Sequence, residues 1–314
     1  MESIAKGKTS EDFTLVSNNQ VDLVQVCKLL WSKKWRVVIV CSLSVVFAVL
    51  YALHLPNVYK SQATWAPATS DSQMGAIGGQ LGGLASLAGI NIAGGGQDQT
   101  GIALEVMRSR QFLMNFIEKY NVTAPLMASI SWDASTDKLL YDDVYDPEDD
   151  MWLKGEDDKP SLQEALKRFN EIYEVEHDKK SGMIFVSISH YSPFLAQAWV
   201  NALGHEINQF MKEQDQTEAK VSIEYLSKQI QSTKLADNRA LLFQLLEEQE
   251  KKLMFTEVRS EYVFKVIDPA IAPERKVGPR RALIVIAWTL LGCFIIVLWI
   301  FFEHSFKKSK GTLN

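Results

Sequence analysis

The residue types that most often carry catalysis are few and scattered in this chain. Its histidines are His54, His177, His190, His205 and His304. The sequence has no HExxH zinc motif, no closely spaced cysteine pair and no GxSxG nucleophile motif. The sequence therefore favours neither a metal-dependent nor a serine hydrolase, and we expect no catalytic residue, no metal and no cofactor.

The three cysteines lie outside the central part of the chain. Cys41 and Cys293 fall inside the two longest apolar runs, and Cys27 precedes the first run. The central part therefore has no internal disulfide, whichever compartment holds it.

An acidic stretch, residues 133–158, holds eleven acidic residues and two lysines. A calcium-binding loop of the EF-hand type needs alternate oxygen ligands, a glycine at its sixth position and a glutamate at its twelfth. That pattern is absent. We expect a solvated acidic excursion here, with a cation site as the alternative.

One polar motif stands out, DPAIAPERKVGPRR, which runs from Asp268 to Arg281. Its prolines impose a stiff, extended path, and its cations follow directly. One interpretation is a rigid spacer that holds lipid headgroups. The other is contact with a partner membrane enzyme or a phosphorylated, lipid-linked substrate. The candidate contact residues are Pro269, Pro273, Arg275, Lys276, Pro279, Arg280 and Arg281.

Two apolar runs near the ends decide the class of protein. Residues 37–55 carry one ionisable group, His54, at the far edge, and residues 282–302 carry no charge. As helices they would span roughly 28 and 31 Å, about the hydrocarbon thickness of a bilayer. Buried core helices rarely run this long without a polar face, and a cleaved signal peptide has a shorter apolar part. We therefore expect two transmembrane helices.

The charges around the first run predict its orientation. Lys28, Lys33, Lys34 and Arg36 precede it, whereas only Lys60 follows closely. Positive residues favour the cytoplasmic side. We therefore expect both termini in the cytoplasm and residues 57–281 outside the cytoplasmic membrane.

The overall composition excludes two further classes of protein. The chain has 314 residues, 47% of them hydrophobic, and a net charge of −5. This apolar content is too high for a disordered chain. Nucleic-acid binding usually needs a basic face, so no nucleic-acid partner is expected.

Several local signals predict the elements between the spans. Residues 58–68 favour a strand, and apolar spacing over 102–120 favours one helix. The capping-box signature from Ser161 to Glu164 begins another helix. The runs 172–177 and 183–191 flank a glycine-containing turn and predict a β-hairpin.

The longest predicted helix begins at Ser192-Pro193, a capping residue followed by proline at the first helical position. If it runs from 194 to about 233, it spans roughly 60 Å, so its far half must stand away from a small core. Asp237 could cap a second helix through about 258, which either returns beside the first or continues it. A strand over 262–267 then leads to the second span. Such a slender helical pair becomes stable by packing on copies of itself.

Two further segments carry weaker signals. Residues 20–36 suit a short helix on the inner membrane surface. Residues 75–96 hold nine of the 17 glycines but no lysine or arginine, which does not fit a phosphate-binding loop. They favour a mobile loop whose small apolar segment packs on a neighbour, with contact to the membrane surface or to a polymer as the alternative.

The order of these pieces resembles the Wzz-type O-antigen chain-length determinants, the polysaccharide co-polymerases of Gram-negative inner membranes. The similar stretches are VDLVQVCKLLWSKKWR, VYKSQAT, IALEVMRSRQFLMNFIEKY, SLQEALKRF, ISHYSPFLAQAWVNALGHEIN and EYVFKVIDPAIAPERKVGPRRALIV, followed by the second apolar run. The insert GLASLAGINIAGGG is similar to one branch of the family, and the acidic stretch falls in a region of variable length.

The resemblance implies an α+β membrane protein in which two transmembrane helices flank a periplasmic, membrane-proximal α/β domain with a long extended helix or helical hairpin. The expected parts are the cytoplasmic segment 1–36, span 37–55, membrane-proximal domain 56–192, helical hairpin 193–260, strand and proline-rich basic segment 261–281, span 282–302 and cytoplasmic tail 303–314.

The resemblance also implies a non-enzymatic role. Family members form bell-shaped homo-oligomers, expected here as octamers in the inner membrane. They set how many repeat units the Wzy polymerase adds to undecaprenyl-diphosphate-linked O antigen, and the proline-rich segment with the second span faces that polymerase. The alternative is a membrane adaptor that activates a separate cytosolic tyrosine kinase in capsule or exopolysaccharide export, through contacts of residues 1–36 and 303–314.

Overall fold

A computed structural model describes residues 33–68, 95–153 and 159–311. The chain divides into two compact units. The helical unit holds the chain up to His54 and from Arg280 onward, and the central unit holds Leu55–Pro279. The predicted surface helix over 20–36 and the glycine-rich segment over 75–96 lie almost wholly outside the described residues.

The helical unit contains two long apolar helices, α1 (Lys34–His54) and α8 (Arg281–Gly311). Both α1 and the Arg281–Ile300 part of α8 are long and apolar enough to cross a membrane. The prediction of two apolar helices near the two ends is therefore confirmed, and it is consistent with a two-span membrane protein.

The central unit mixes helices and strands. Its elements in chain order are β1 (Tyr59–Pro67), α2 (Gly95–Arg108), α3 (Arg110–Lys119), α4 (Thr123–Met127), β2 (Ser129–Asp133), β3 (Lys138–Tyr141), β4 (Tyr145–Asp146), β5 (Met151–Trp152), α5 (Leu162–Ile172), β6 (Tyr173–His177), β7 (Ile184–His190), α6 (Pro193–Ser232), α7 (Ala236–Val258) and β8 (Phe264–Asp268).

A four-stranded antiparallel sheet in the order β6-β7-β1-β8 forms the centre of this unit. The predicted hairpin is confirmed as β6 and β7, and its alternating residues Ile184, Val186 and Ile188 are fully buried. The strands predicted before and after the long helices are also present, as β1 and β8. Strand β8 is an edge strand, so its free edge must find other hydrogen-bond partners.

The first half of α6 packs on the sheet through Trp199, Leu203 and Ile207. Trp65 of β1 lies against this helix and is 1% exposed. The approach requires glycine at position 204, because a Cβ there would lie 2.8 Å from Cζ2 of Trp65. Close packing at this point fixes the distance between helix and sheet.

The capping prediction for α5 is confirmed, whereas the helix predicted over 102–120 is wrong as a single element. Ser161 and Glu164 form the reciprocal capping box. Ser109, by contrast, adopts an extended conformation, and its hydroxyl accepts a hydrogen bond from the Phe112 amide. The chain therefore breaks into α2 and α3, because a capping serine satisfies the first amides of a new helix.

The long helix begins where Ser192 predicts, with the Ser192 hydroxyl accepting from the Leu195 amide at 3.3 Å. It is followed by a separate helix, α7, so the continuous alternative is wrong. The expected cap is also wrong, because α7 begins after Leu235 with no side-chain cap and Asp237 lies in its first turn.

A polar cluster explains why the apolar stripe of α6 fades after residue 211. One carboxylate oxygen of Asp215 accepts from the Tyr262 hydroxyl at 2.6 Å and from Gln99 Nε2 at 2.9 Å. The other oxygen pairs with Lys252 of α7 at 2.9 Å, and Lys252 also contacts Glu218 at 2.8 Å. Burial and the neighbouring Asp215 raise the pKa of Tyr262, which stays a hydroxyl donor. The ion pairs of Lys252 therefore hold α7 beside α6, in the region where the apolar stripe of α6 is interrupted in the sequence.

Candidate functional site

The basic proline segment, residues 268–281, leaves the sheet at the end of β8 and is first held at Ala270, which is 2% exposed. The Ala270 amide donates to Oδ1 of Asn201 at 3.1 Å. The Ala270 carbonyl accepts from Nδ2 of Asn201 at 3.3 Å and from Nε2 of Gln197 at 3.1 Å. Side chains of α6 therefore take the place of a neighbouring strand.

A second asparagine of α6 holds the beginning of β8. Oδ1 of Asn208 accepts from the amides of Val263 at 2.7 Å and Phe264 at 2.9 Å. Its Nδ2 donates to the carbonyls of Phe264 at 2.9 Å and Gly204 at 3.1 Å. Asn208 is 7% exposed, and its amide makes all the bonds it can make.

These two asparagines were missed by sequence reasoning, although a signal was available. Asn201 and Asn208 are seven residues apart in a helix, which places them on one face two turns apart. Asn208 lies among the buried apolar residues of the helix, where a polar side chain requires partners, and Asn201 lies two turns earlier at an exposed position. The partners themselves could not be named, because they lie about 55 to 69 residues away along the chain.

The other contacts of the segment come from residues 57–61, at and just before the start of β1. Ser61 Oγ donates to the Ile271 carbonyl at 2.7 Å. Val58 exchanges backbone bonds with the 277–278 stretch: its carbonyl accepts from the Val277 amide at 2.8 Å, and its amide donates to the Gly278 carbonyl at 2.9 Å. Lys276 Nζ donates to Oδ1 of Asn57 at 2.9 Å. The segment is therefore fixed at Ala270 by α6, at Ile271 by Ser61, and at residues 276–278 by Asn57 and Val58.

Between these two anchors the segment presents a polar surface. Glu274, Arg275 and Lys276 are exposed, and so are Ile271 and Val277. Guanidinium and ammonium groups on a fixed backbone can bind phosphate or carboxylate oxygens. Five of the predicted contact residues lie in the central unit: Pro269, Pro273, Arg275, Lys276 and Pro279.

The remaining two predicted residues belong to the helical unit. Arg280 and Arg281 lie at the start of α8, where the Arg280 carbonyl accepts from the amides of Leu283 and Ile284. A single contact site made by all seven residues stays a prediction.

The acidic stretch forms two small hairpins, β2–β3 and β4–β5, between residues 129 and 153. Its carboxylates accept local hydrogen bonds: Asp133 accepts from Ser135 and Thr136, and these bonds lower its pKa. Within residues 33–68, 95–153 and 159–311, no three His, Cys, Asp or Glu side chains gather as a metal site would require. Residues 154–158 of the stretch lie outside this description.

His190 has a strongly lowered pKa, and the groups around it indicate a structural role. Its Nε2 lies 3.1 Å from the Pro125 carbonyl, and its Nδ1 accepts from the Ser192 amide at 3.1 Å. Burial lowers the pKa of His190 to about 4, while the bonds to Pro125 and Ser192 oppose that shift. A neutral imidazole with both nitrogens engaged by backbone groups orients the start of α6.

The alternative of a kinase adaptor depends on the two ends of the chain. Residues 1–32 and the side chains of residues 303–311 lie outside the described part. That alternative stays a hypothesis.

Comparison with known proteins gives a family match for the N-terminal third of the chain. Residues 19–120 match the family model described as "Wzz: Chain length determinant protein". This stretch includes α1, β1, α2 and α3, and it ends before α6 and the basic proline segment. The match confirms the resemblance to the Wzz family and supports a role in chain-length regulation in general. No curated protein matches the chain.

Two solved structures resemble the chain more distantly. A "full-length bacterial polysaccharide co-polymerase" is 11% identical, with 91% of this chain and 99% of that chain covered and a TM-score of 0.40. A "Fragment of WzzB, Polysaccharide Co-polymerase from Salmonella Typhimurium" is 9% identical, with 71% and 100% covered and a TM-score of 0.29. Both TM-scores are too low for either likeness to support an inference about this chain.

Proposed function

We propose that this chain regulates the length of lipopolysaccharide O antigen as a non-enzymatic, homo-oligomeric scaffold in the inner membrane. The observation that carries this proposal is the match of residues 19–120 to the Wzz chain length determinant model. The two apolar helices support it, because they tether a folded central unit at both of its ends. In this arrangement both termini are cytoplasmic and the central unit is periplasmic.

Self-assembly is supported by the helical arm, residues 212–258, which comprises the second half of α6 and all of α7. Across α7, Thr256 is the one residue that is fully buried. Large apolar side chains remain exposed on the arm, among them Val221, Tyr225, Leu241 and Phe243. Exposed apolar residues on a slender helical pair are covered most simply by a second copy of the same surface. We propose an octamer, and the mass of the detergent-solubilised particle tests it.

The basic proline segment is proposed as the contact with the Wzy polymerase or with undecaprenyl-diphosphate-linked polysaccharide. Its backbone is fixed by Asn201, Ser61 and Val58, so Arg275 and Lys276 are presented on a rigid path. A pre-positioned cation pair loses little entropy on binding a diphosphate or an acidic partner.

Deletion of the gene tests the role directly. We expect the clustered ladder of O-antigen lengths on a polysaccharide gel to become a random one, and the wild-type gene to restore the cluster. An unchanged ladder after deletion would contradict the proposed function.

Charge reversal tests the segment. Arg280→Glu with Arg281→Glu should disturb length control without preventing membrane insertion, because the cations at the start of α8 are lost while its apolar part stays intact. The matched control is Lys179→Glu with Lys180→Glu, the same charge change in the exposed β6–β7 turn. A ladder from the Arg280/Arg281 variant identical to that of the control would reduce this part of the segment to a spacer.

A further inference from the structure

The two apolar helices of the helical unit meet at a pair of thiols. Sγ of Cys41 in α1 lies 2.7 Å from Sγ of Cys293 in α8, and the two residues are 252 positions apart in the chain. Both are free cysteines and both are partly buried. A disulfide has a sulfur–sulfur bond of about 2.05 Å, so a bond here needs sulfur movements of less than about 1 Å.

The neighbouring contacts show that the helices themselves approach closely at this point. One turn along α1 from Cys41, Ser44 Oγ donates to the Trp288 carbonyl of α8 at 3.1 Å. A Cβ at position 292, next to Cys293, would collide with the Ser44 side chain. Small residues allow such close backbone approach between apolar helices. The facing of the two thiols therefore follows from the backbone positions of both helices.

The contact continues further along the same face of α1. The Trp288 ring lies 5.9 Å from Phe47 and 6.0 Å from Tyr51, measured between ring centroids. Residues 41, 44, 47 and 51 recur at steps of three or four, which is one face of a helix. Each of these contacts is independent of the cysteine side chains.

We infer that Cys41 and Cys293 form a dithiol site that membrane-permeant, two-electron disulfide oxidants convert into a disulfide joining the two apolar helices of one chain. With a dipyridyl disulfide as oxidant, one thiolate attacks the reagent, forms a mixed disulfide and releases one thiopyridone. The second thiolate attacks the protein sulfur of that mixed disulfide and releases the second thiopyridone. The two thiol protons end on the two thiopyridones, and the two electrons that the protein loses reduce the reagent.

This inference does not rest on the proposed function. It assigns a modification site to the helical unit and states that α1 pairs with α8 of its own chain. If deleting the gene left the O-antigen ladder unchanged, the dithiol site would still stand. If the cross-link failed to form, the proposed role in length control would still stand.

The test uses the full chain in membranes, with Cys27→Ser to remove the third cysteine and a protease site inserted between Lys179 and Lys180. These two lysines are exposed in the β6–β7 turn. After oxidation with 4,4′-dithiodipyridine and cleavage, we expect the two fragments to stay joined on a non-reducing denaturing gel and to separate on reduction. Two thiopyridones should be released per chain.

A matched control moves one thiol to another face of the same helix. Ile39 is 61% exposed and lies two residues before Cys41, so Cys41→Ser with Ile39→Cys keeps the number of thiols but turns one away from α8. We expect its fragments to separate without reduction.

Three outcomes would overturn the inference. Fragments could separate while both thiols are blocked as mixed disulfides, which would show that the thiols do not meet. Uncleaved chains could migrate as disulfide-linked dimers, which would show that these thiols meet thiols of another copy instead of each other. Release of no thiopyridone would show that the site is closed to this class of oxidant.

Discussion

The Asn208→Ala variant gives the sharpest test of how α6 holds β8. The substitution removes the side-chain oxygen that accepts from the amides of Val263 and Phe264, together with a donor to the Phe264 carbonyl. A buried polar group left without a partner costs about 1–3 kcal/mol. For two amides, with some relief from water entering the space, we expect a loss of about 3 kcal/mol in the free energy of unfolding.

The measurement is thermal unfolding of the full chain in detergent, followed by tryptophan fluorescence. In a unit of this size 1 kcal/mol shifts the melting temperature by about 2–4 °C, so the expected decrease is about 6–12 °C. Trp65 reports on the affected region, because its ring stacks on Phe264 with centroids 5.9 Å apart.

Asn201→Ala is the matched control. It removes the same kind of side-chain-to-backbone bonds, but Asn201 accepts from only one amide, that of Ala270, and the Ala270 carbonyl keeps its bond from Gln197. The Asn201 side chain is also exposed, so water has access to part of this contact. We expect a loss of about 1 kcal/mol or less for this variant. Equal melting temperatures for the two variants would refute the argument that burial makes Asn208 the stronger anchor.

Three further outcomes are expected. Gly204→Ala should destabilise the chain by about 1–3 kcal/mol, because its methyl group meets the Trp65 ring, whereas Gly101→Ala has open space around it and should not lower the melting temperature. The pKa of His190 is about 4 in the folded chain against 6.5 for a free histidine, so the unfolded chain binds more protons between these two pH values. Neutral His190 therefore contributes about 3 kcal/mol to the free energy of unfolding above pH 6.5, and this contribution is lost as the pH falls to 4. His190→Gln should flatten this pH dependence of the melting temperature. Asp215→Asn should weaken the attachment of α7 and speed its cleavage in limited proteolysis, while an unchanged cleavage rate would show that charge does not hold the arm.

Local signals were sufficient for many of the elements. The apolar runs, the capping box at Ser161 and the start of α6 at Ser192 depend on residues within one helical turn of each other. The β6–β7 hairpin depends on alternation and a turn of a few residues. Local signals were not sufficient to place every helix boundary. Ser109 begins a new helix inside a run of residues with helical spacing, and Asp237 lies in the first turn of α7 instead of capping it.

Patterns in the sequence are sufficient to predict the two apolar helices, the strands of the central sheet and the long helix, because hydrophobic periodicity and capping act over short distances. The contacts between residues that are distant in the chain become visible in the folded structure alone. It placed β1 between β7 and β8, paired Asn208 with the Phe264 backbone and set Cys41 against Cys293. These contacts depend on the positions of whole elements relative to one another, and no local pattern records them.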